Sequence, residues 1–302
     1  MPENKSIMKE HSAKVALLQQ ENGKNFETNF KKVLLLIKKA LTQGANIIIT
    51  TEFFLTDYFC KNYDSSNFDL AQKVPGQSTL EFQEIAKKHQ VVIVCSLFEQ
   101  DGPLYYNTLA VIDADGTYLG KYRKMHIPDD PGFYEKYYFT PGDLGYKVFE
   151  TAYGNIGTLI CWDQWFPEAA RLTAMKGADI LIYPTAIATL EVETHQQKTD
   201  YLHAWQTIQQ SHAVANGCFV ASVNRTGNEE GMQFWGNSFV ADPLGRMVAC
   251  GGEKEEIVYA DCNWDTIKTV RREWPFFRDR RVDSYNNIIV KWDEGEPGGN
   301  KG

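Results

Sequence analysis

The chain predicts an α/β fold whose strands are largely buried on both faces. Short apolar runs rich in β-branched residues recur along nearly its whole length, and segments with helical spacing of apolar residues separate several of them. No Pro/Gly/Ser-rich linker divides the 302 residues, which places them in one domain with a folded core over about 14–285. The hydrophobic content of 43% suffices for a substantial core.

The elements follow in order. "KVALLQQ" from Lys14 reads as the first strand. From Phe26, the residues Phe30, Val33, Leu34, Ile37 and Leu41 keep helical spacing until Gly44 closes the segment. "NIIITTEFF" from Asn46 is a strand, Ser78 to His89 a helix, and "VVIVCSLFE" and "NTLAVID" two further strands. "IGTLICWD" from Ile156 leads into a helix with Pro167 in its first turn and Gly177 at its end. "DILIYP" precedes a helix over about Thr199 to Asn216, after which "CFVASVN", "NSFVAD" and "EIVYADC" read as strands.

"NTLAVIDADGTYLGKY" from Asn107 and "NSFVADPLGRMVAC" from Asn237 share an Asn, a strand, an Asp-containing turn with Gly, and a returning strand. This predicts an internal duplication in which two α/β layers pack face to face. The final "DEGEPGGNKG" is Gly-rich and charged and reads as a disordered tail.

Composition narrows the partners. A formal net charge of −8 without a long basic patch repels nucleic acid. The polar start "MPENKSIMKEHSAK" lacks a signal-peptide core, and no run approaches the ~20 apolar residues of a membrane span, so a cytoplasmic protein with no membrane partner is expected. Six scattered cysteines without a Cys-x-x-Cys pair predict reduced thiols and neither a disulfide framework nor a metal site.

One of those thiols carries a candidate chemistry. In "TLICWDQWFPEAAR", Cys161 falls between a strand and a helix N-terminus, a position that exposes a nucleophile in α/β proteins and favours its thiolate. Such a thiol needs a base and a group facing the oxyanion formed on attack at a carbonyl. Glu52, at the end of "NIIITTE" beside two Phe, is placed where burial would raise its basicity. Lys124 follows the first hairpin. Among the histidines, His126 is nearest a candidate site, whereas His212 on a helix pattern reads as a hydrogen-bonded core residue. No glycine-flanked nucleophile elbow is present, because Ile160 and Trp162 adjoin the cysteine.

The segments "TTEFFLTDYF", "KYRKMHIPDDPGFYEKYYFTPGD" and "GTLICWDQWFPEAARLTAMKGADILIYPTAI" resemble the nitrilase superfamily, in order and spacing, over Val15 to Asp283. The resemblance implies a four-layer αββα sandwich, a catalytic triad of Glu52, Lys124 and Cys161, and a second glutamate at Glu135 that orients the lysine and the substrate amide. It implies a homo-oligomer built from dimers and no cofactor. Within the superfamily, "CWDQWFPEAAR" resembles the branch that hydrolyses N-carbamoylputrescine, a step of polyamine synthesis. Gln164 and Trp165 stand where branches acting on carbamoyl amino acids have arginine for a carboxylate. The substrate pocket is expected to hold Tyr58, placed as in the carbamoylputrescine branch, with Asp129, Trp162, Thr185, Ala186 and Glu191; Asp129, Asp130, Glu191 and Glu193 are the carboxylates available to an ammonium tail. "PTAIATLEVE" departs from that branch's usual "PTAIGSEP", which displaces the acidic residue to Glu191. The alternatives are hydrolysis of N-carbamoyl-β-alanine, ω-amidase activity, and, outside hydrolysis, a thiol redox protein or a catalytically dead binding protein. A redox protein offers no reason for Glu52 and Lys124, and against a dead binding protein all three triad positions are intact.

Overall fold

The computed structural model describes residues 11–292; the Gly-rich stretch read as a disordered tail lies outside the described residues. The first half of the chain runs β1 (Ser12–Gln19), α1 (Phe26–Thr42), β2 (Ile47–Thr50), α2 (Gln77–His89), β3 (Val92–Asp101), β4 (Leu104–Ile112) and β5 (Tyr118–Arg123). A single helical turn, α3 (Glu135–Tyr138), leads to the second half: β6 (Lys147–Thr151), β7 (Gly154–Thr158), α4 (Pro167–Ala174), β8 (Ile180–Thr185), β9 (Ala188–Leu190), α5 (His195–Asn216) and β10 (Phe219–Asn224). It ends with β11 (Thr226–Glu229), β12 (Met232–Trp235), β13 (Phe239–Ala241), β14 (Met247–Cys250), β15 (Glu256–Asn263) and α6 (Asp265–Glu273).

Two six-stranded sheets form, in the orders β15-β1-β2-β3-β4-β5 and β14-β13-β10-β8-β7-β6. Their pairing is the same. In each, three neighbouring strands are parallel (β1, β2, β3 and β7, β8, β10), the rest join antiparallel, and the strands returning from the repeated hairpin lie at one edge. The duplication read from the two hairpins is thus present in the topology.

Strand alternation explains the layers. Val15, Leu17, Ile47, Ile49, Val92 and Val94 share one core cluster with Ile156, Ile180, Val220 and Val240 of the other sheet. The intervening Ala16, Leu18, Ile48 and Ile93 face Val33 and Ile37 of α1 and Phe82 and Ala86 of α2. Ala170 and Ala174 of α4 with Trp205 and Ala213 of α5 cover the second sheet. The order is therefore helix, sheet, sheet, helix, and strands buried on both faces read as continuous apolar runs.

Several boundaries differ from the sequence reading. The run through "IGTLICWD" is strand only to Thr158; Leu159 and Ile160 continue past it, and Cys161 opens a 3-10 turn over Cys161–Trp165, with α4 beginning only at Pro167. The thiol therefore stands at the start of a separate turn, not directly at a helix N-terminus. α5 starts earlier than Thr199 because Thr194 caps it, its hydroxyl accepting from Gln197 N–H while the Gln197 side chain accepts from Thr194 N–H. β9, β11 and β12 make a small antiparallel sheet that sequence reasoning missed, its strands being only three or four residues long. α6 was also missed; its mostly charged residues bury only Ile267 and Val270.

Candidate active site

The candidate side chains Glu52, Lys124 and Cys161 lie beyond the carboxyl ends of β2, β5 and β7, where chain leaves each sheet. Glu52 lies two residues beyond β2 and is fully buried. Its loop is held from the other half of the molecule. Arg225, wholly buried after β10, donates from Nη2 to the carbonyls of Phe53 at 2.9 Å and Thr56 at 2.8 Å, and from Nη1 to Glu229 at 3.1 Å. Phe53 in that loop has φ 48°, a left-handed conformation that a non-glycine residue adopts only where its surroundings dictate it.

Lys124 directly follows β5. Its N–H donates to Asn107 O at 2.8 Å, and its carbonyl accepts from Gly142 N–H at 2.8 Å. A side chain at Gly142 would run into the Arg123 carbonyl, which is why the returning loop carries glycine there. The ammonium donates to Glu52 Oε1 at 3.0 Å and to Glu135 Oε2 at 2.6 Å, all three side chains being essentially without solvent exposure. Asn107 Nδ2 donates to the same Glu52 Oε1 at 2.6 Å, while Glu52 Oε2 has no partner among the described residues.

Cys161 is 6% exposed and sits at φ 40°. Cys161 thus adopts the strained left-handed conformation of an elbow turn without flanking glycines. Asp163 holds the turn: its Oδ2 accepts from Ile160 N–H at 3.0 Å and from Tyr122 OH at 2.7 Å, and its Oδ1 from His126 N–H at 3.0 Å. His126 also meets Asp163 through its ring and stacks on Phe166, so it braces the turn. His212 bonds Gln164 O at 2.8 Å from a buried position on α5.

Electrostatics follow from the burial. Desolvation pushes the Cys161 thiol well above its usual range and Glu52 adds to this, while Lys124 and the Ala186 backbone N–H act the other way. Burial, reinforced by Glu52, raises Glu135 to about 7 against the opposing pull of Lys124 and Tyr58. Burial alone would lower Lys124, but Glu135, Glu52 and Cys161 outweigh it and hold the ammonium charged.

A cavity of about 400 Å³ opens onto Cys161 and Glu135 and is walled by Trp162, Trp165, Phe133, Ala186, Tyr201 and Trp235, with Asp130 and Glu193 as its other carboxylates. The structure therefore brings Glu52, Lys124, Glu135 and Cys161 to one place and puts Trp162 and Ala186 on the cavity wall. It distributes the remaining expected contacts differently. The Tyr58 hydroxyl is turned inward, donating to Glu135 Oε1 at 2.9 Å, and the residue is wholly buried, so it positions a carboxylate and does not line the cavity. Thr185 is buried with its hydroxyl on Tyr183 O at 3.0 Å. Asp129 and Glu191 are exposed and off the wall, where their neighbours Asp130 and Glu193 stand instead. Gln164 is buried too, accepting from Trp205 Nε1 at 2.8 Å. Asn107 and Arg225 went unread as site residues; only the Asn shared by the two hairpins marked the first. All six cysteines are free, and among the described residues no three His, Cys, Asp or Glu side chains group as metal ligands.

The carbon-nitrogen hydrolase family model matches residues 14–272. The chain is 44% identical to an N-carbamoylputrescine amidase of Solanum lycopersicum, covering 91% of this chain and 94% of that protein. It is 41% identical to a citrullinase of Francisella tularensis, covering 92% and 99%. Among solved structures, a carbon-nitrogen hydrolase from Helicobacter pylori G27 matches with a TM-score of 0.91 and 42% identity over 94% of this chain and 100% of that one. The resemblance read from three sequence segments thus holds over the whole fold: this chain belongs to the carbon-nitrogen hydrolase family and is an amidohydrolase acting on carbon–nitrogen bonds.

Proposed function

We propose that the enzyme hydrolyses N-carbamoylputrescine to putrescine, ammonia and carbon dioxide, with Cys161 as nucleophile, Glu52 as base and Lys124 facing the oxyanion together with the Trp162 backbone N–H. Glu52 takes the thiol proton as sulfur attacks the carbamoyl carbon, and that proton leaves with ammonia, generating an S-carbamoyl intermediate. Water then attacks with Glu52 again as base; the thiol regains a proton, and the released carbamate breaks down to amine and carbon dioxide. Glu135, held by Tyr58 and Lys124, keeps the lysine aimed at the developing charge.

The observation that carries the substrate is the cavity wall. Its charged residues other than Glu135 are Asp130 and Glu193, and among the described residues lining it there is no Lys or Arg. An ammonium tail finds acceptors and aromatic faces there, while a carboxylate tail finds no cation. The likeness to a citrullinase makes citrulline, a carbamoyl amine that also bears a carboxylate, the second reading. One well-placed carboxylate on a partly desolvated ammonium supplies about 1.5–3 kcal/mol, or roughly tenfold to a hundredfold in kcat/KM. Ammonia release across N-carbamoylputrescine, citrulline and N-carbamoyl-β-alanine is the test. Equal or higher kcat/KM for either rival overturns the assignment, and Glu193→Gln is expected to narrow the preference.

The free thiols fit a cytoplasmic protein. Trp274, Phe276, Ile288, Ile289 and Trp292, apolar yet exposed in the single chain, fit a homo-oligomer built from dimers.

A further inference from the structure

Glu52 has two oxygens in different situations. Oε1 receives both Asn107 Nδ2 at 2.6 Å and Lys124 Nζ at 3.0 Å, whereas Oε2 has no partner among the described residues. Asn107 reaches the pair twice, because its carbonyl also accepts the Lys124 backbone N–H at 2.8 Å. Its own Oδ1 is buried without a partner. A side chain present only to fill the core would avoid leaving a buried acceptor unpaired. The orientation is dictated by the carboxylate, since only the amide NH₂ can meet it.

We infer that Asn107 is a positioning residue for the hydrolysis: it occupies Glu52 Oε1 and so commits Oε2 as the oxygen that accepts the thiol proton and later the water proton. The backbone link to Lys124 couples base and oxyanion group through one residue of β4, so both keep their spacing through two successive attacks.

This role rests on Glu52 as base, and three variants separate the two ideas. Glu52→Gln is expected to abolish turnover; retained turnover would overturn the base and this role with it. Asn107→Ala, folded by circular dichroism, should lower kcat by about tenfold to a hundredfold while KM stays within about threefold. Asn107→Asp fills the same volume, so its folding does not turn on a cavity, but it sets a second carboxylate against Glu52 Oε1. Two such groups at hydrogen-bond distance hold a proton between them, so the acid limb of its kcat–pH profile should move up by at least about one pH unit, with activity recovering as pH rises. A merely structural asparagine would lower stability and leave kcat per folded site and the pH profile unchanged. Wild-type kcat in folded Asn107→Ala, or a superimposable acid limb in Asn107→Asp, overturns the proposal.

Discussion

The two halves of the sandwich share a strand order and diverge in what their strand ends carry. Beyond β2 the first half holds Glu52; at the matching end of β8 the second half has Thr185 followed by Ala186. The hairpin asparagine of the first half, Asn107, bonds Glu52, whereas its counterpart Asn237 takes φ 54° and donates to Trp235 O at 2.6 Å, shaping a turn. Cys161, beyond β7, has no counterpart thiol at β1, which ends at Gln19 and continues with Gln20, Glu21 and Asn22. The two sheets pack face to face, and the candidate site draws Glu52 and Lys124 from one half and Cys161 from the other. Arg225, reaching from the second half to the carbonyls of the Glu52 loop, is one polar link between the halves, beside the Tyr122 and His126 bonds to Asp163.

If nucleophile and base belong to different halves, removing the nucleophile should silence the site without disturbing either layer. Cys161→Ala is expected to lose turnover by about 10⁴-fold or more with an unchanged circular dichroism spectrum, and full activity in that variant would end the thiol mechanism. On the opposite side of the junction, Lys124→Met should lower kcat by about a hundredfold, as loss of an oxyanion donor does; an effect confined to KM would make it a ground-state binder.

The link between halves is tested by Arg225→Met. It strips donors from the Glu52 loop and leaves Glu229 buried without its cation, so denaturant unfolding should show a loss of about 3–5 kcal/mol, with kcat reduced in the protein that remains folded. A variant as stable as wild type would show that the Arg225 bonds add nothing to the joining of the halves. Glu135 sharpens the electrostatic side. Its carboxyl is raised to about 7 by burial, and its ionised form is the one that holds Lys124, so kcat/KM should fall as pH drops through neutrality. In Glu135→Gln the residual rate should lose that limb; an unchanged limb would assign the ionisation to another group. The smallest effect is expected at the silent counterpart. Asn237→Gly keeps the left-handed conformation and loses one turn hydrogen bond, so stability should change by less than about 1 kcal/mol and kcat by less than about threefold. A larger fall in kcat would show that the second half's hairpin still acts on the chemistry.

By itself the sequence determined the alternation of strands and helices and the repeated hairpin, and it singled out Glu52, Lys124, Glu135 and Cys161, which the fold brings together. Those features are local: strand burial writes itself as apolar runs, and each site residue lies within a short segment carrying its own pattern. Tertiary structure decided the rest. Asn107 meets Glu52 across 55 residues and Arg225 meets Phe53 across 172, separations at which no periodicity links the partners. Which of two nearby carboxylates faces the cavity, Asp130 over Asp129 or Glu193 over Glu191, depends on the path of a loop, and Tyr58 turns to Glu135 because its buried hydroxyl finds a carboxylate to bond there. Composition fixes neither choice, since a displacement of one or two residues in an irregular segment redirects a side chain entirely.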